Sequence, residues 1–127
     1  MVPDQPTREQ AQVIDSVADA LYDLLHARAQ SIGILDIALE VNDFHVDAEL
    51  LFGHGPDLGL SLDSRAGECR YCELLDGGRE RWLDEVRGDL LVLDAHAEDV
   101  IEAIVLEVLD GLLDARRPLL RRDRGDG

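Results

Sequence analysis

The stretch ILDIALEVNDFHVDAELLF, running from Ile34 to Phe52, decides the reading of this chain. Leu35, Ile37, Leu39 and Val41 alternate with Asp36, Ala38, Glu40 and Asn42, and the alternation resumes as Phe44, Val46, Ala48, Leu50 and Phe52. A period of two is the signature of strands with one buried face. A two-residue turn at Asn42-Asp43 pairs Val41 with Phe44, Leu39 with Val46, Ile37 with Ala48 and Leu35 with Leu50. Every apolar side chain then falls on one face of a β-hairpin.

Upstream the period changes. Val13, Ile14, Val17, Leu21, Leu24 and Leu25 recur at helical spacing, with Asp15, Asp19 and Asp23 on another face. Thr7 and Gln10 have the spacing of a capping box, and Gly33 is the expected terminator. Downstream, Gly53 to Asp57 form a loop, and Leu58, Leu60 and Leu62 alternate with Gly59, Ser61 and Asp63 as a third strand. Residues 64–78 carry no clear period. The spacing of Trp82, Leu83 and Val86 predicts a short helix, and Leu90 to Leu93 a fully buried strand. A final helix is expected from about His96 to Arg117, capped by Asp94 and stopped by Pro118.

The expected fold is a two-layer α+β sandwich. Its N- and C-terminal helices pack on one face of a largely antiparallel sheet, in the order α-β-β-β-short α-β-α. Residues 7–117 form one domain, with residues 1–6 a disordered lead and 118–127 a disordered Arg-rich tail.

Charge dominates the composition. The 127 residues hold 28 acids against 12 bases, for a net charge of −16. The acids are 18 Asp and 10 Glu, and every base is Arg. A carboxylate coat of this density suits molar salt, where the Debye length falls to ~3 Å and self-repulsion is screened. In composition the surface resembles those of haloarchaeal cytoplasmic proteins; the alternative is an acidic protein of an ordinary GC-rich bacterium. The same charge argues against nucleic acid as a partner, except through the tail, where five arginines stand against two aspartates in the last twelve residues. No secretory segment or membrane span is read, so a cytoplasmic location is expected.

Three constellations could carry chemistry. Cys69-Arg-Tyr-Cys72 has the spacing of half a zinc site, and His54, with His45, is the candidate to complete it. A redox pair and two incidental cysteines are the competing readings. On the outer face of the hairpin, the expected register sets Asp36 against Glu49, Ala38 against Asp47 and Glu40 against His45. Asp36, Glu40, His45, Asp47 and Glu49 thus form an anionic patch for a basic partner or a divalent cation, or a seat for a general base next to His45. Finally, Leu106, Leu109 and Leu113 widen the apolar stripe of the last helix beyond one face, which calls for the first helix or a second copy of the chain.

No nucleophile elbow and no glycine-rich phosphate loop is present in the sequence. The expected function is therefore a non-enzymatic interaction or regulatory domain of a salt-adapted cytoplasm, homodimeric, with a protein partner or itself as ligand. An acidic inhibitor of the immunity-protein or antitoxin kind, and a small structural-zinc protein, are the alternatives.

Overall fold

The computed structural model describes residues 5–123. Helix α1 spans Arg8–Ile32 and opens on the expected capping box. The Gln10 N–H donates to Thr7 Oγ1 at 3.1 Å, and the Thr7 N–H donates to Gln10 Oε1 at 3.0 Å. Val13, Ile14, Val17, Leu21 and Leu25 are buried. The helix ends at Gly33, whose left-handed φ of 92° lets its N–H reach the Ala29 carbonyl.

Five antiparallel strands follow as a simple meander, in the spatial order β1-β2-β3-β4-β5. They are β1 (Ile34–Asn42), β2 (His45–Phe52), β3 (Asp57–Asp63), β4 (Glu68–Leu74) and β5 (Glu80–Arg87). Helix α2 (Glu98–Asp123) is the last of the described elements. The two helices touch each other, α1 over β1 and α2 over β4 and β5. Val46, Leu50, Leu58, Leu62, Tyr71, Val108 and Leu112 are among the side chains fully buried between the layers. The α+β two-layer arrangement is thus as the sequence predicts.

Several elements differ from expectation. The hairpin turn is Asp43-Phe44, one residue later than expected, so Asn42 faces His45, Val41 faces Val46, Leu39 faces Ala48 and Ile37 faces Leu50. The pairing moves by two residues, which keeps every side chain on its face; apolar parity cannot tell these two registers apart. A bulge between Ile34 and Asp36 sets Asp36 against Leu51.

The segment without a clear period holds β4. The predicted short helix is strand β5, which is bulged: Cys72 faces Trp82 while Arg70 faces Val86. Three residues of β4, Arg70 to Cys72, span five of β5, Trp82 to Val86, and the two apolar ends of that stretch share a face at a four-residue spacing that a helix would also give. Leu90–Leu93 is not a strand. Asp89 and Leu91 take positive φ of 59° and 48°, and Val92–Asp94 form a 3-10 turn that buries Leu90 and Val92.

Helix α2 runs through Pro118 to Asp123 instead of stopping before it. Proline lacks the N–H that would bond to the Asp114 carbonyl, a loss of ~3 kcal/mol in a helix interior. Burial of Leu119 and ion pairing of Arg122 with Glu73 offset that loss. Residues 118–123 of the predicted tail are therefore helical, while 1–4 and 124–127 lie outside the described residues. Leu109 is buried and Leu113 half-buried, while Leu106 is 41% exposed, so two of the three surplus leucines of α2 are used within the chain.

Three charged clamps lock the layers. Glu73, 4% exposed, is held by Arg81 of β5 and Arg122 of α2. Arg87 reaches from β5 to Asp110, at 3.1 Å, and to Asp114. The Arg116 guanidinium lies 3.9 Å from the centre of the Phe52 ring and donates to the His54 carbonyl at 2.6 Å, tying α2 to the β2–β3 loop.

Candidate functional site

Because both helices cover one face of the sheet, the alternate side chains of five strands are left on an open face. Its rows follow from the registers. One row is Ala38, Glu49, Gly59, Cys72 and Trp82; the next is Glu40, Asp47, Ser61, Arg70 and Val86. A third is Asn42, His45, Asp63 and Glu68. Within these rows Arg70 is the one cation beside five carboxylates.

Glu40 sits directly opposite Asp47, a like-charge pair that is unfavourable in dilute buffer. The Asn42 amide reaches Asp47 Oδ2 at 3.4 Å, a long and weak bond. His45 faces Asn42 and Asp63 instead of Glu40, with Nε2 3.7 Å from Asp63 Oδ2. Asp36 lies past the bulge, where Oδ1 accepts the Ile37 N–H at 3.0 Å. The anionic patch therefore comprises Glu40, Asp47 and Glu49 with His45 at its end, and Asp36 stands apart.

The middle of the face is hollow. A Cβ on Gly59 would lie 2.8 Å from Cys72 Sγ, so any larger residue here would force that thiol aside. A depression of about 270 Å³ opens there, bordered by Asp47, Glu49, Cys72, Glu80 and Trp82. Trp82 is 52% exposed, a large aromatic standing beside carboxylates. A second depression of about 290 Å³ lies between Trp82 and the row of His45, Asp63 and Glu68.

The structure separates the residues named for zinc. Cys69 and Cys72 are three apart on a regular strand, so they point to opposite faces. Cys69 lies under the helices, while Cys72 lies beneath the open face. His54 is exposed in the β2–β3 loop. Among the described residues, no group of three or more His, Cys, Asp or Glu is arranged to hold a metal ion. Burial pushes the Cys69 thiol up to about 12, opposed in part by its hydrogen bond with Tyr71. Burial likewise pushes Cys72 up to about 11, helped by Glu80, Glu49 and Asp47. Neither is a ready thiolate.

Sequence reasoning missed Trp82, Glu80, Glu68 and Asp63 as members of this face. Asp63 was legible from the alternation of β3. Trp82 and Glu80 were hidden by the bulge of β5, and Glu68 by the unread start of β4. No helix among the described residues is long and apolar enough to cross a membrane. The chain matches no protein-family model, no curated protein and no solved structure.

Proposed function

We propose that this chain is a non-enzymatic interaction domain of a salt-adapted cytoplasm, which holds a basic protein partner on the open face of its sheet. The supporting observation is the composition of that face. Rows of carboxylates, a hollow at Gly59 and a half-exposed Trp82 lie together on the one sheet surface that the helices leave bare. Carboxylates supply attraction and register for cationic side chains, and an exposed indole supplies apolar and cation–π contact. An inhibitor of the antitoxin kind is the special case in which the partner is a basic toxin.

General acidity must be distinguished from a specific face. The test is binding of an arginine-rich peptide in about 1 M KCl, where screening limits attraction to ~3 Å. Glu40→Lys with Asp47→Lys should abolish binding. Asp15→Lys with Asp19→Lys, on the exposed side of α1, makes the same change in net charge and should leave binding nearly unchanged. Equal loss in both pairs, or binding by neither them nor the parent chain, overturns the reading.

A further inference from the structure

We propose that the free edge of β1 is a self-association surface, on which two chains pair antiparallel about a two-fold axis through Leu39. Two five-stranded sheets then become one continuous sheet. The backbone edge of β1 is a different surface from the open face, and its pairing does not depend on the partner proposed for that face.

The two edges of the sheet are unlike. Strand β5 is bulged and carries Glu80, Arg81, Asp84, Glu85 and Arg87, features that prevent edge pairing. Strand β1 is nine residues long, contains neither Lys, Arg nor Pro, and is regular from Asp36 to Asn42. Its flank is apolar and open. Leu35 is 75% exposed with Tyr22 exposed across the groove from it, and Val41 is exposed at the other end of the strand. A groove between α1 and β1 runs past Tyr22, His26 and Leu35.

The hairpin fixes which backbone groups are available. Across a two-residue turn the closing pair, Asn42 and His45, exchanges both hydrogen bonds. By alternation Glu40 and Ala38 also bond to β2, so the N–H and C=O groups of Ile37, Leu39 and Val41 point to the empty edge. The Ile37 N–H bears this out, being capped by its neighbour's Asp36 Oδ1 at 3.0 Å instead of by β2. That carboxylate can swing aside when a better-placed carbonyl arrives.

Charge then selects one register among the three that oppose at least two of these residues in each chain. Pairing Ile37 with Leu39 of a second copy sets Asp36 against Glu40. Pairing Leu39 with Val41 sets Glu40 against Glu40. Pairing Leu39 with Leu39, and Ile37 with Val41, sets Ala38 against Glu40 and Asp36 against Asn42. The last register alone avoids like charges directly opposite. It also stacks Ile37, Leu39 and Val41 of both copies on the helix side. At −16 per chain, long-range repulsion opposes the union in dilute buffer, so association strengthens with salt.

The test uses the full chain in about 2 M KCl, well into the screened range. Light scattering should give twice the 14.1 kDa chain mass. Leu39→Pro removes an N–H that the single chain does not use, at an edge position that tolerates proline; it should halve the mass with the circular dichroism spectrum retained. Register is read by oxidation. Ala38→Cys with Glu40→Cys faces a thiol to a thiol across the seam at a Cα separation of about 4.5 Å, and should give a covalent dimer. Ala38→Cys alone, which leaves Glu40 in place to hold the register, should not. A concentration-independent monomer overturns the proposal. So does a dimer that survives Leu39→Pro, one that fails to cross-link in the double variant, or one that cross-links through Ala38→Cys alone. If Leu39→Pro unfolds, the cross-linking pattern alone decides.

Discussion

Replacing Gly111 with alanine should destabilise the fold, although helix propensity alone favours the change by ~1 kcal/mol. Gly111 lies inside α2 where the helix crosses Tyr71 and Arg87. An added Cβ would collide with the Tyr71 hydroxyl oxygen and with Arg87 Cγ. Tyr71 is fully buried and donates to the Val108 carbonyl at 2.8 Å, so its ring has no room to retreat. Overpacking of this kind costs about 1–3 kcal/mol. Losing the buried hydroxyl's partner costs about 1–3 kcal/mol more if the ring is displaced. Subtracting the propensity gain from the two costs leaves a net loss of about 1–5 kcal/mol, or roughly 4–20 °C in Tm for a domain of this size. Urea unfolding followed by circular dichroism in high salt measures it. Tyr71→Phe removes the colliding oxygen, so Gly111→Ala should cost clearly less in that background. An alanine variant as stable as the parent, or more so, would refute the close approach of α2 to β4.

Other outcomes follow from the charges and thiols. Burial alone would raise the Glu73 carboxyl, but the guanidiniums of Arg122 and Arg81 outweigh it and hold it below its ordinary value of 4.5. With the folded value depressed, the clamp's contribution is complete above about pH 4.5 and is lost as pH falls through the folded value. Glu73→Gln should cost about 2 kcal/mol at pH 7, as two charge-assisted bonds become neutral ones, with both arginines half-exposed and free to rehydrate. Its stability should also fall less steeply in acid, and parallel acid profiles would contradict the assignment. Raising KCl should raise Tm, and Glu40→Gln with Asp47→Asn should improve stability by about 0.5 kcal/mol in low salt and much less above ~1 M; a Tm flat in salt would refute the adaptation. At pH 8 the folded chain should react with a thiol reagent far more slowly than the urea-unfolded chain, which exposes both cysteines; Cys72 labelling at the unfolded rate would contradict its burial beneath the open face.

Periodicity by itself determined the N-terminal helix with its Thr7–Gln10 box, the first three strands and the sides on which their side chains lie. These features follow from the local backbone repeat, 3.6 or 2 residues, which each segment declares alone. The acidic outer face was legible for the same reason, since Glu40, Asp47 and Glu49 needed only their parity. Pairing was not legible: sliding the turn from Asn42-Asp43 to Asp43-Phe44 changes every neighbour and no face. Strand β5 was lost because its bulge exists only against β4, and the four-residue step from Trp82 to Val86 is meaningless without that partner. The cysteines looked like ligands until their strand sent them to opposite faces. Pro118 looked like an ending until Leu119 found the core and Arg122 found Glu73. In each case the deciding energy lies between residues far apart in the chain, and only the packed layers bring those residues together.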